Sequence, residues 1–469
     1  MAFPAVVQKN NQTAELSLHD STVTITYSCD RLTDIIPIDT IYAIHASADI
    51  LTFHICRALT EDDEGFRETL TDVRAAPEWK LETQQYTSAQ AEKLAEALKQ
   101  HPSFHSLSLS TRFYVLINPA AGARQAEEQW RDTVRPMLEK AGLRHFEVHE
   151  THAEDGQTRQ QAAAIGRQIL GDVTPTPAVV LVLGGDGTLH DVVNGLSDVV
   201  ETNNINSARS RFRIGVIPCG SGNAFSHSLN LHTVSHATLR IIKGVTEPFR
   251  LMDVVLGSAP TMGDLDKAVY DCQTQTRLLV VMSWGFHAQI VSRARKMDHT
   301  LGNVRFAMAA KELMNPLVDY IGTVIAVNAR RYIGKDAEGS DPQGFGPQET
   351  VRWSPGQFTY FLVTKQHSLE RGFKIAPFAS HSSEEMDVII LREATAEQLT
   401  TASIKAFQGG RHVEEKDAEY YKTSELFLQV YEPAEVCLDG EIQSLPANGV
   451  VHVKVTKEEP YLEAFSGSS

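Results

Sequence analysis

The chain has 469 residues, enough for about three domains of ordinary size, with 42% hydrophobic and 22% charged residues, which excludes a wholly disordered, collagen-like or coiled-coil protein. Its longest purely apolar run, 178–183, falls far short of the ~20 residues that span a bilayer, and no basic stretch leading into an apolar one marks a secretory signal. The net charge of −16, from 59 acidic and 43 basic residues, disfavours nucleic-acid binding by general charge. The five cysteines, Cys29, Cys56, Cys219, Cys272 and Cys437, are scattered and form no C-x-x-C, so a soluble protein of a reducing, intracellular compartment is expected.

Along residues 1–105, Val23, Ile25 and Tyr27, then Leu51, Phe53 and Ile55, alternate with period two as half-buried strands do. The acidic run Glu61, Asp62, Asp63 and Glu64 with Gly65 reads as an exposed loop. Ala91, Leu94, Ala95 and Leu98 then fall at helical spacing behind Thr87 and Gln90, which fit a capping box. A small β-sandwich or barrel closed by a C-terminal helix is the simplest architecture.

From 111 to 245 the rhythm becomes strand, loop, helix. Strands are expected at 113–117, near Phe146 and Val148, at 178–183 and at 214–217, with helices at 124–140 and 157–170 between them. Pro136 should kink the first of these helices and Gly142 should cap it. Such alternation implies a parallel sheet flanked by helices. From 246 to 469 strands dominate, at 278–282, 323–327, 358–363, 388–391, 426–430 and 451–455. Residues 334–350 hold almost no apolar side chains and read as a mobile insertion.

Three Gly-rich turns follow apolar strands: Asn118-Pro119-Ala120-Ala121-Gly122, Gly184-Gly185-Asp186-Gly187-Thr188 running on to His190 and Asp191, and Pro218-Cys219-Gly220-Ser221-Gly222-Asn223. In a parallel sheet all three lie at the carboxyl edge, where ligands bind. Glycines let the backbone approach a phosphate, and the amides at a helix start supply donors. Neither G-x-x-x-x-G-K-[ST] nor G-x-G-x-x-G is present, so the phosphate site is of another kind. Asp186 among such amides would repel an anion unless it holds a metal or accepts a proton, and phosphoryl transfer needs both functions. It is equally placed to cap the following helix, and the two roles are compatible. Leu438-Asp439-Gly440-Glu441 reads either as a hairpin turn or as an acidic contributor to a magnesium site. Arg293, Arg295 and Lys296 form a solvated face or a contact for phosphate or an anionic bilayer.

These motifs, in this order, resemble the diacylglycerol kinase catalytic superfamily, and most its sphingosine and long-chain-base kinase branch. Ser283-Trp284-Gly285-Phe286, Leu301-Gly302, Arg305-Phe306, Met386-Asp387-Val388 and Gly410-Arg411-His412 fall where that branch has similar residues. The resemblance implies an ATP- and magnesium-dependent lipid kinase. Its Rossmann-like α/β nucleotide domain would span 111–245, and a β-sandwich lipid domain 246–469. A pleckstrin-homology-like docking or autoinhibitory module would occupy 1–105. It further implies that Asn118, Pro119, Ala120, Thr151 to Asp155, Gly184, Gly185, Gly187, Thr188, Asp191, Gly220, Ser221 and Gly222 line the ATP site. Arg305 would meet the phosphates, Asp439, Gly440 and Glu441 would lie by the nucleotide, with Asp439 and Glu441 at the metal, and Asp186 would take the proton of the lipid hydroxyl.

Sphingosine kinases carry an acidic residue shortly after the Trp-Gly-Phe segment to pair with the substrate ammonium. Here His287-Ala288-Gln289-Ile290-Val291-Ser292 has none before Asp298. Another group, such as Asp298 or Asp253, would have to receive an amine; otherwise the lipid is a diacylglycerol, a ceramide or another acyl-glycerol lipid. The expected substrate is a sphingoid long-chain base, phosphorylated on its primary hydroxyl. Partners would be a long-chain lipid and a bilayer contacted peripherally from the cytoplasm, no nucleic acid, and a second copy if the chain dimerises. A NAD kinase shares Gly-Gly-Asp-Gly-Thr but not the Trp-Gly-Phe segment, and a silent lipid-binding scaffold has no need of Asp186, Asp439 and Glu441.

Overall fold

The computed structural model describes residues 4–29, 32–60, 63, 78–151, 156–172, 177–202, 212–297, 301–302, 304–456 and 460–467. The described residues among the first 105 include a seven-stranded antiparallel sheet. Ala5–Lys9, Gln12–His19, Thr22–Tyr27 and Thr33–Pro37 make one meander, Ile41–Ser47, Ile50–Ala58 and Trp79–Thr87 another, and Ala5–Lys9 meets Trp79–Thr87. Helix Ala91–Lys99 closes it with Ala91, Leu94, Ala95 and Leu98 buried. The expected capping box is not used. Thr87 is tied up as the last residue of its strand, and the Ser88 hydroxyl accepts from the Gln90 amide at 3.3 Å. Of the acidic loop, Glu61, Asp62, Glu64 and Gly65 lie outside the described residues, while Asp63 pairs with Arg57 at 2.6 Å.

This module is welded to the rest of the chain. Lys243, buried, donates to the carbonyls of Ile38 and Ile41 at 2.9 and 2.7 Å, and Trp79 stacks on His236 at 3.8 Å. Tyr42, Ala43 and Cys56 belong to the same hydrophobic core as the central sheet.

That sheet runs Thr246–Pro248, Leu462–Phe465, Phe212–Pro218, Ala178–Gly184, Arg112–Ile117 and His145–Glu150. All neighbours are parallel except the first pair. Because Thr246–Pro248 and Leu462–Phe465 both pair here, the boundary expected at 246 is crossed twice. Ahead of Pro136 the helix opens into one wide turn, Trp130–Val134, so the proline starts helix Arg135–Lys140 and its missing amide leaves no gap. Gly142 caps this helix with φ +87°.

The remaining strands build one twelve-stranded antiparallel sheet. Of residues 334–350, expected to be mobile, 334–344 form a closed turn after Tyr320–Tyr332 and 345–350 begin strand Phe345–Phe358. The Asp341 carboxylate accepts from the Gln343 and Phe345 amides at 2.8 and 2.9 Å and bonds Arg330 at 2.6 Å. One aromatic residue anchors this polar segment: Phe345, buried against Tyr332, Phe378 and Tyr420.

Candidate active site

The three Gly-rich turns converge at one edge of the parallel sheet. A Cβ on Gly220 would collide with the Gly185 backbone, and one on Gly122 with the carbonyl of Cys219. Glycine is therefore required where three backbones touch. Asn118 pins the first turn to the second: its amide bonds the Leu183 carbonyl at 3.0 Å, its Nδ2 donates to Thr188 Oγ1 at 2.7 Å, and its Oδ1 accepts from Ala120 at 2.9 Å. Asn223, in the left-handed region at φ +56°, holds the third turn closed by bonding both the amide and the carbonyl of Gly220, at 2.9 and 2.7 Å. Thr151 joins the same edge through its amide to the Ile117 carbonyl at 2.8 Å; residues 152–155, including Asp155, lie outside the described ones. Gly187 is exposed, Ser221 and Gly222 are half-buried beside Pro218–Gly220, and Asp191 lies next to His190 on helix Asp186–Thr202. The first amides of that helix have no intrahelical acceptor, so the edge presents backbone donors of the kind that bind anions.

Asp186 caps a helix other than its own. Its carboxylate accepts the amides of Ala224 and Phe225 at 2.8 and 3.1 Å, at the start of the short helix Ala224–Ser228, and a Cβ on Gly222 would sit 3.3 Å from it. Burial pushes its pKa up to about 6; the two amides pull the other way, and the charge of Asp439 adds to the rise. A half-buried carboxyl that titrates near neutrality is matched to accepting a proton.

One turn later on the same face, His190 bridges to the second motif: its Nδ1 lies 2.9 Å from Asp439. Sequence reading gave His190 no role, although its i+4 spacing from Asp186 was visible. Burial lowers its pKa, but the Asp439 hydrogen bond and charge, with Asp191, more than offset that and leave it raised. Asp439 also accepts the amides of Leu279, Val280 and Val281 at 2.7, 2.8 and 2.7 Å. This explains why the strand expected at 278–282 is broken into Val269–Leu278 and Val281–Gly285: the amides between them bond a side chain instead of a neighbouring strand.

Asp439 and Glu441, expected at a magnesium ion, are placed otherwise. Asp439 and Gly440, with φ +49° and +91°, form the tight turn between strands Ala434–Leu438 and Glu441–Leu445, as the hairpin alternative had it. A carboxylate offers about four lone-pair positions, and four donors already fill those of Asp439. Glu441 is exposed and pairs with Arg295 at 2.8 Å. Among the described residues no group of three or more His, Cys, Asp or Glu is gathered for a metal. Asp439 and Glu441 do not fit magnesium as direct ligands. Arg295 also bonds the Gly440 carbonyl at 3.0 Å, and its charge, after burial, lowers the pKa of Arg305, whose guanidinium lies 5.0 Å over the Phe306 ring. Two contacts thus tie this region together, His190 to Asp439 and Arg295 to Glu441, while Asp186 and Arg305 feel the charges of Asp439 and Arg295.

Residues 112–254 match the family model of the diacylglycerol kinase catalytic domain. The chain is 27% identical to sphingosine kinase 1 of Arabidopsis thaliana over 71% of its own length and 67% of that protein. It is 24% identical to a diacylglycerol kinase of Bacillus subtilis, over 74% of its own length and 97% of that protein. A solved Bacillus anthracis structure assigned as a diacylglycerol kinase superposes with a TM-score of 0.51 at 15% identity, covering 76% of this chain and 95% of that one, a likeness of fold.

Proposed function

We propose, from the premise that this chain belongs to the diacylglycerol kinase catalytic family and is a lipid kinase, that it transfers the γ-phosphoryl group of ATP to the primary hydroxyl of a sphingoid long-chain base. The observation that carries this reading is Asp186, a carboxyl titrating near pH 6 and fixed by two amides beside the glycine cradle. The cradle amides receive the phosphates, and Arg305 adds positive charge. Asp186 takes the proton of the lipid hydroxyl as that oxygen attacks phosphorus; positioning and charge stabilisation do the remainder.

A carboxylate accompanies the segment that lacks one in sequence. The Gln289 amide donates to Glu435 of strand Ala434–Leu438 at 3.1 Å, which sets an acid beside the helix Phe286–Arg295. Asp253 is committed elsewhere, to Thr456 at 3.3 Å and near Arg277, and Asp298 lies outside the described residues. Glu435 supports an amine-bearing lipid over diacylglycerol or ceramide, because burying an ammonium without a partner is costly.

No described helix is long and apolar enough to cross a membrane. Leu301, Val304 and Met308, exposed at spacings of three and four residues near Arg293 and Arg295, offer an apolar, cation-flanked face for peripheral contact with a bilayer. The test is radiolabelled ATP with dihydrosphingosine, sphingosine, phytosphingosine, diacylglycerol and ceramide. Transfer to the three free bases is expected; transfer to diacylglycerol or ceramide alone rejects the sphingoid reading.

A further inference from the structure

The Tyr360 side chain is 7% exposed, and its hydroxyl has no hydrogen-bond partner among the described residues. Buried polar atoms are nearly always paired, and leaving one unpaired is unfavourable, so this hydroxyl calls for a reason. Its surroundings supply one. Tyr360 opens strand Tyr360–Thr364 directly opposite Gly285, where strand Val281–Gly285 gives way to helix Phe286–Arg295. Gly285 makes that junction possible with φ +72°, since a Cβ there would press on the Thr359 carbonyl at 2.8 Å. The turn delivers His287 against Tyr360, rings 5.9 Å apart and edge to face. Ser283 holds the other side of His287, its Oγ 2.7 Å from Nδ1. Burial lowers the His287 pKa to about 4, so at neutral pH the ring is an uncharged donor or acceptor, and burial likewise keeps the Tyr360 phenol protonated.

These three residues are a polar island in an apolar layer. Tyr360 and Phe286 belong to the large core, and the helix that carries His287 packs beside helix Val304–Leu313. Ser283 lies two residues, about 7 Å, along its strand from Val281, whose amide bonds Asp439. The island is therefore within a lipid's length of the transfer site. Trp284 makes the contrast: its Nε1 is also without a partner, but it faces the other side of the sheet, in a separate core among Tyr320, Phe358 and Phe361.

We infer that Tyr360, with His287 oriented by Ser283, binds a chain hydroxyl that the lipid carries in addition to the two hydroxyls of dihydrosphingosine. The inference rests on the sphingoid-kinase reading and deepens it, making the enzyme selective for oxygen-bearing chains. The hydroxyl of Tyr360 donates to that oxygen, and a substrate without it leaves the phenol as it stands in the unliganded chain.

The test compares wild type and Tyr360→Phe on dihydrosphingosine and on its 4-hydroxylated form phytosphingosine. Wild type is expected to favour phytosphingosine by about tenfold in kcat/KM. Tyr360→Phe should erase that preference through a loss on phytosphingosine, and melt no lower than wild type, because it removes an unpaired buried hydroxyl. No preference in wild type, or an unchanged preference in the variant, overturns the inference. So does a lowered melting temperature with an equal loss on both lipids, which would make the hydroxyl structural. If wild type phosphorylates neither base, the sphingoid reading fails and this inference with it.

Discussion

Asp186 and Asp439 are two carboxylates close enough for the charge of one to act on the other, and their surroundings differ sharply. Asp186 has two amide donors, and burial leaves it with a pKa of about 6. Asp439 has four donors, three of them consecutive amides, and its side chain is 1% exposed. The difference lies in the lone pairs left over. A carboxylate with lone pairs to spare can still accept a proton, whereas one whose lone pairs are all taken is a rivet that joins a hairpin, a broken strand and helix Asp186–Thr202.

Four changes probe that contrast. Asp186→Asn should lower kcat by about 10²–10⁴-fold with the fold retained but weakened, since the amide oxygen keeps one of the two cap bonds to helix Ala224–Ser228 and the NH2 loses the other; steady-state kinetics with a melting curve reads both. A rate near wild type would erase the distinction. Asp439→Ala should instead destabilise the protein by about 3–5 kcal/mol, because three amides and His190 lose their acceptor in a buried place. Urea unfolding checks it, and lost activity with full stability would make Asp439 a ligand instead of a rivet.

Acid should undo the fold below the range in which Asp186 works. Burial lowers the pKa values of His227 and His236 to about 3 and that of His412 to about 4. Between those values and about 6.5 the unfolded chain binds more protons, so stability falls as pH drops below 6.5. The loss is up to about 1.4 kcal/mol per pH unit for each histidine, readable as unfolding midpoints across pH 7 to 5. The smallest effect belongs to Glu441→Gln. Its partner Arg295 is 44% exposed and Glu441 itself 60%, so stability should change by less than about 1 kcal/mol. A larger loss would mean that the hairpin tip, like Asp439, ties separate elements together.

The glycine turns were legible because each follows an apolar strand and is marked by local residue types. The parallel sheet was legible for the same reason. What the sequence hid depends on partners far away. The strand break at Leu279 and Val280 exists because Asp439, 160 residues downstream of Leu279, takes their amides. Leu462–Phe465 looks like an ordinary tail until it pairs with Phe212–Pro218. Residues 334–344 are polar enough to read as mobile, and one buried aromatic, Phe345, orders them. Asp439 and Glu441 are two residues apart in sequence yet differ completely in burial, because the turn directs one inward and the other to solvent.

The most direct test of Asp186 as the proton acceptor is the pH dependence of lipid phosphorylation by wild type and Asp186→Asn. Wild-type kcat/KM should rise with pH through about 6 as Asp186 loses its proton, and the asparagine variant should be slow and lack that rise. The same rise near pH 6 in both proteins would contradict the account.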